Sequence, residues 1–204
     1  MIYEFRTYTL RPGTLPEFLK RFGDALPKRE DFSRLAAFWC TDVGPLNQVI
    51  HVWPYENSLE RARIRAEAVK ARIWPPNTGE FILTMNAEIF EPLAFSPALD
   101  PSKSGPVFEM CTTTVKPFTM PRLIERWKET LPDRLKLSPL IGAFTTDVGD
   151  LNRLTHIWSY GSLNERTAVK DAAVASHLWP ICSDDIVIGE ETKILSPASF
   201  SQIQ

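Results

Sequence analysis

Apolar and polar positions alternate along residues 2–10: Tyr3, Phe5, Thr7 and Thr9 share one side, and Ile2, Glu4, Arg6, Tyr8 and Leu10 the other. This two-residue period is that of a strand. Arg11-Pro12-Gly13 turns the chain, and Leu15, Phe18, Leu19, Phe22 and Leu26 follow at helical spacing, with Thr14 and Glu17 in the positions of a capping box. Residues 35–41 and 48–55 read as a hairpin around a turn containing Asp42, Gly44, Pro45 and Asn47. A second helix starts at Ser58, runs through Leu59, Ala62, Ala66 and Val69, and stops near Trp74, since the residue before Pro75 is biased out of the helical region. A last strand covers 81–91, with Phe81, Leu83, Met85, Ala87 and Ile89 on one side. The order is βαββαβ.

The pattern then repeats. A single shift of 105 positions (156 − 51) carries His51 onto His156, Trp53 onto Trp158, Tyr55 onto Tyr160, Glu4 onto Glu109, and Trp74-Pro75 onto Trp179-Pro180. The apolar helix positions return as Met120, Leu123, Ile124, Trp127 and Leu131. A period this long makes each copy a domain rather than a solenoid unit. Residues 1–97 form repeat 1, 98–106 a Pro-, Ser- and Gly-rich linker, and 107–204 repeat 2. The expected fold is α+β: two ferredoxin-like units, each an antiparallel sheet with both helices on one face, packed sheet to sheet around one barrel-like core. Tyr3 and Phe5, with Phe108 and Met110, suit the helix side; Glu4, Arg6 and Tyr8 are then expected on the face shared by the two sheets.

Composition narrows the class. Of 204 residues, 44% are hydrophobic and 24% charged, as in an ordinary globular protein. A net charge of −2 without long basic clusters argues against nucleic-acid binding. Cys40, Cys111 and Cys182 form neither a disulfide framework nor a zinc spacing, which suits a reducing, cytoplasmic setting. No apolar run is long enough to span a membrane, and the first residues do not read as a targeting segment. No GxGxxG, P-loop or GxSxG appears, so no cofactor is expected.

The string Tyr3-Glu4-Phe5-Arg6-Thr7-Tyr8-Thr9-Leu10-Arg11-Pro12-Gly13, with Asp42-Val43-Gly44-Pro45-Leu46-Asn47-Gln48-Val49-Ile50-His51-Val52-Trp53-Pro54-Tyr55, resembles the NIPSNAP domain pattern. Repeat 2 departs from it at Cys111 for Arg6, Thr113 for Tyr8, Phe144 for Trp39 and Asp150 for Pro45. The resemblance implies a dimeric α/β-barrel fold, shared with small monooxygenases, muconolactone-isomerase-like proteins and dye-decolourising haem peroxidases. It implies no reaction, because one fold hosts many chemistries.

His51 is the foremost catalytic candidate, since imidazole moves protons near neutral pH, with Glu4 as a second proton carrier. Either could instead be a satisfied core group. Arg6 is suited to anchor an anion, and Tyr8, Trp39 and Trp53 to line a pocket. Glu4, Arg6 and Tyr8 could equally form an ion-pair network. Asn47 and Asn152 read as turn residues, Trp74 and Trp179 as helix-end core, and His177 as too isolated for a haem ligand. Two functions stay open: a protein holding a small aromatic or carboxylic ligand in the barrel, as a cofactor-independent monooxygenase or isomerase would, and a non-catalytic protein-interaction module. Association of the chain into a homo-oligomer of such pseudo-dimers is open as well.

Overall fold

A computed structural model describes residues 1–103, 105–179 and 185–204; Pro180 and Cys182 lie outside them. Among the described residues, repeat 1 consists of β1 (Ile2–Leu10), α1 (Leu15–Glu30), β2 (Ala37–Val43), β3 (Gln48–Tyr55), α2 (Ser58–Lys70) and β4 (Ile82–Pro92). Repeat 2 consists of β5 (Val107–Val115), α3 (Met120–Arg134), β6 (Leu140–Val148), β7 (Arg153–Tyr160), α4 (Leu163–Ala175) and β8 (Val187–Pro197). The βαββαβ order holds in both. No helix among the described residues is long and apolar enough to cross a membrane.

Local chemistry sets the element ends. The β2–β3 and β6–β7 turns place Gly44 and Gly149 at φ 116° and 132°, and Asn47 and Asn152 at φ 58°. Asparagine tolerates this left-handed region, and the Asn47 and Asn152 carbonyls accept from the amides of Leu10 and Val115. The capping box forms at α2 and not at α1. Asn57 accepts from the Glu60 amide at 2.9 Å while Glu60 accepts from the Glu56 amide at 2.6 Å. At α1 the Thr14 hydroxyl donates back to the Arg11 carbonyl at 2.7 Å, and Glu17 pairs with Arg21.

The two sheets do more than face each other: they are hydrogen-bonded into a closed barrel of order β1-β3-β2-β8-β5-β7-β6-β4. β2 pairs with β8 (Trp39 opposite Pro197, Thr41 opposite Leu195), and β4 with β6 (Ile89 opposite Val148, Phe90 opposite Thr146). Each repeat thus lends its outer strands to the other, and four otherwise open edges become two seams.

The faces of β1 are the reverse of the sequence expectation. Tyr3 and Phe5 point into the barrel with Trp39, Phe90, Phe108 and Phe144, whereas Glu4, Arg6 and Tyr8 lie beneath the helices. The reason is volume. An eight-stranded barrel is just wide enough to be filled by side chains, and large rings fill it best. Phe5 sits 4.6 Å from Phe90 and 5.3 Å from Phe144 between ring centroids, and Trp39 5.5 Å from Phe108. One end of the barrel retains about 40 Å³ of free space beside Thr7, Glu88, Thr112 and Arg153, room for water rather than an organic ligand.

Because both repeats build this core, unfolding is expected to be one cooperative transition in urea. Phe5→Ala should lower stability by about 3–5 kcal/mol, measured as a shift of that single midpoint; two separated transitions would show that the repeats unfold independently.

Candidate functional site

Beneath the sheet of repeat 1, the Glu4 carboxylate is fully buried and surrounded by three guanidinium groups. Arg6 Nη1 donates to Glu4 Oε1 at 2.8 Å, Arg61 Nη2 to the same oxygen at 2.6 Å, and Arg65 Nη1 to Oε2 at 3.4 Å. Arg61 and Arg65 come from α2, whose inner face is Arg61, Ile64, Arg65 and Ala68, at i, i+3, i+4 and i+7. The apolar positions read from the sequence, Leu59, Ala62, Ala66 and Val69, face solvent, Leu59 at 81% exposure. Pairing to Glu4 turns the helix this way. Burial on its own would raise the Glu4 pKa, but the Arg61 hydrogen bond and the charges of Arg65, Arg6 and Arg61 hold it below the usual carboxylate range.

Arg6 continues the network along its strand, donating through Nε to the Tyr8 hydroxyl at 2.8 Å. Tyr8 packs edge-on to the His51 ring at 4.8 Å, and Phe22 and Phe38 close around that imidazole at 5.2 and 5.6 Å. Trp53 Nε1 donates to His51 Nδ1 at 2.7 Å. An indole can only donate, so the imidazole is neutral with its proton on Nε2, and among the described residues Nε2 is buried without a partner. Burial first, then the charges of Arg6, Arg65 and Arg29, push the His51 pKa well below its ordinary value. A histidine so held is a poor base near neutrality; its remaining capability is donation from Nε2.

Arg29, buried beneath Trp53 with its guanidinium carbon 4.4 Å from the ring centroid, donates to Ser33 Oγ at 2.8 Å and to the Tyr55 hydroxyl at 3.2 Å. A cavity of about 130 Å³ adjoins this network, bounded by Tyr8, Phe22, Trp74, Pro75, Thr78 and Met85. Its wall is mostly apolar, and Tyr8 is the link between it and the arginines.

Repeat 2 keeps the frame and loses the link. Glu109 pairs with Arg166, with Lys170 at 3.7 Å, and accepts from the Tyr160 hydroxyl at 3.1 Å. Arg134 repeats Arg29, bonding Ser138 at 2.8 Å and Tyr160 at 3.2 Å, and Trp158 donates to His156 Nδ1 at 2.8 Å. Burial, then Arg134 and Lys170, lower the His156 pKa to about 3. Where Arg6 and Tyr8 would stand are Cys111 and Thr113. The space beside Glu109, Cys111 and Trp179 is about 10 Å³, and burial raises the Cys111 thiol to about 12, leaving it protonated.

Of the residues singled out in the sequence, Glu4, Arg6, Tyr8, His51 and Trp53 converge on the helix side of one sheet. Trp39 does not: it lies in the barrel, on the opposite side of the sheet. Sequence reasoning missed Arg29, Arg61, Arg65 and Tyr55. The repeat shift carries the signal for them, because Arg29, Arg61 and Tyr55 recur as Arg134, Arg166 and Tyr160, and Arg65 recurs as Lys170. Of the positions mistaken for the helix core, Leu59, Ala62 and Ala66 change to Asn164, Thr167 and Asp171, while Val69 recurs as Val174. His177 is exposed at φ 56°, just past the end of α4.

This architecture, two ferredoxin-like halves closed into one barrel with buried polar networks beneath the helices, is a dimeric α/β barrel built within a single chain. The same fold is seen in a putative monooxygenase from Lactobacillus acidophilus, which superposes over 99% of this chain and 96% of its own with a TM-score of 0.68 at 11% identity. The NIPSNAP family profile matches residues 3–97 and 108–202, and the chain belongs to the NIPSNAP family. Mouse protein NipSnap homolog 3B is 32% identical, and the human homolog 3B 27%, each match covering 99% of this chain and 85% of the relative.

Two outcomes follow from the networks. Glu4→Ala should destabilise the fold by about 1–3 kcal/mol, since it removes the buried partner of Arg6 and of the partly exposed Arg61 and Arg65; urea unfolding at pH 7 measures it. His156 has a folded pKa below its unfolded one, so its stabilising contribution is complete above about pH 6.5 and falls on acidification, by roughly 2 kcal/mol at pH 5. His51, lowered in the same direction, adds a fall of its own, so His156→Asn, which keeps an acceptor for Trp158, should reduce but not abolish the drop in the urea midpoint between pH 6.5 and 5; an unchanged slope would exclude His156 as a source.

Proposed function

We propose that the protein binds a small organic molecule between the sheet and the helices of repeat 1, with an aromatic or other apolar body in the cavity lined by Phe22 and Trp74 and a carboxylate or enol oxygen directed at Tyr8 and Arg6. The observation that carries this reading is the excess of cation over anion. Arg6, Arg61 and Arg65 converge on the single carboxylate of Glu4, and this positive cluster meets the apolar cavity at Tyr8, which lines the cavity and accepts from Arg6.

Because Arg6 donates to the Tyr8 oxygen, the phenol proton is free to be given to a ligand oxygen. The Arg6 charge strengthens that donation, and burial keeps the phenol protonated by raising its pKa against the opposing pull of Arg6. Such a donor stabilises an enolate as it forms, the chemistry a cofactor-independent monooxygenase or an isomerase requires. Glu4, committed to three arginines, serves to position Arg6; His51 supports the Tyr8 ring. The filled barrel interior moves the ligand from the barrel to the helix side, and it also supports the second reading, a non-catalytic interaction module.

Screening aromatic carboxylates and enolisable aromatic ketones by tryptophan fluorescence tests the proposal, since Trp74 lines the cavity. Binding is expected, and Tyr8→Phe should weaken it by roughly ten- to a hundredfold, the worth of a charge-assisted hydrogen bond of about 1.5–3 kcal/mol, with little change in thermal unfolding. No binding across the panel, or binding indifferent to Tyr8→Phe, would favour the interaction module.

A further inference from the structure

The barrel seams are shorter than the strands that form them. β6 ends at Val148, opposite Ile89, so the β4 segment 82–88 runs on past its neighbour, paired with β1 on one edge and with no strand among the described residues on the other. β2 ends likewise at Val43 opposite Ile194, and the β8 segment 187–193 overhangs in the same way. Each overhang presents a row of unpaired backbone donors and acceptors, the template on which another strand can add.

The two overhangs differ in how they treat that template. In β8 the segment is Val187-Ile188-Gly189-Glu190-Glu191-Thr192-Lys193, with a glycine and three charged residues, the composition that discourages edge pairing. In β4 it is Ile82-Leu83-Thr84-Met85-Asn86-Ala87-Glu88, uncharged until its last residue, with Leu83 and Met85 each 56% exposed. Apolar exposure does not separate the two sides: Ile188 of β8 is 60% exposed, and Leu163 and Val174 of α4 are exposed as Leu59 and Val69 of α2 are. What separates the overhangs is charge.

We propose that the β4 overhang is a self-association edge, along which two copies of this chain pair antiparallel about a two-fold axis. A single such edge per chain closes into a dimer and leaves no second site for growth. Antiparallel pairing is self-complementary: it brings Met85 and Ala87, which share the helix-side face, and the exposed Leu83 against the same segment of the second copy. In the same arrangement Glu190 of β8, which stands where Met85 stands in β4, would meet its own symmetry mate, a like-charge contact that disfavours repeat 2 in this role. Met85 and Ile82 also border the repeat 1 cavity, so the second copy sits at its rim.

Light scattering coupled to size exclusion tests this, together with hydrogen exchange at high and low protein concentration. The wild-type chain should elute at twice its 23.2 kDa mass, with concentration-dependent protection of the amides in 82–88. Leu83→Lys should give a folded monomer, and Ile188→Lys, the matching change on β8, should leave the dimer intact. Met85→Glu provides a second disruption should Leu83→Lys fail to fold. A monomeric wild-type protein at micromolar concentration, or a dimer that survives both Leu83→Lys and Met85→Glu, would overturn the proposal.

Discussion

A carboxylate buried between sheet and helices organises most of what distinguishes this molecule. Glu4, and Glu109 in the second repeat, sit mid-strand with almost no exposure, and an ion removed from water there costs several kcal/mol unless partners compensate it. The compensation comes from α2 and α4, and it fixes how those helices are rotated. Arg61 and Arg65 must face inward, and the apolar positions on the other side of α2 are turned out to solvent. The same guanidiniums set the field around His51, which adds to burial in keeping the imidazole neutral. Packing, helix orientation and the protonation of the candidate site are therefore consequences of one desolvated charge.

The order of elements and the duplication were legible because periodicity and a gapless repeat are both local properties of the chain. Which side of β1 faces the barrel was not. Tyr3/Phe5 and Glu4/Arg6/Tyr8 alternate equally well whichever way the strand is turned, and the preference for apolar residues beneath helices pointed the wrong way. Barrel volume favoured rings inside, and the charged side found its partners, Arg61 and Arg65, 57 and 61 residues further along. The α2 face was misread for a related reason: an amphipathic pattern is normally scored by its apolar members, while this helix buries arginines. Comparing the repeats position by position corrects most of that error from sequence alone, since Arg61/Arg166 and Ala68/Ala173 persist and Ala66 becomes Asp171, though the exposed Val69 also persists as Val174. Trp39 was placed in the site because of its aromatic ring, yet its strand parity sends it to the opposite side of the sheet from His51.

Fusing the two halves has a chemical consequence. In a barrel assembled from two identical chains, every change to the network beneath one sheet appears beneath the other. Here Arg6 and Tyr8 are kept in one half, while Cys111 and Thr113 replace them in the other, where the carboxylate frame still holds α4 in place. Repeat 2 has retained what closes the barrel and shed what adjoins the cavity.

The β2–β8 seam joins the second strand of the chain to the last one. During synthesis, repeat 1 leaves the ribosome well before that partner exists, with Phe5, Trp39 and Phe90 uncovered on the face that later becomes core. Contacts this distant in sequence are made late and slow the search for the native state, leaving sticky surface open meanwhile. The seam that gives the barrel its cohesion thereby leaves the apolar face of the first half uncovered until β8 has been made.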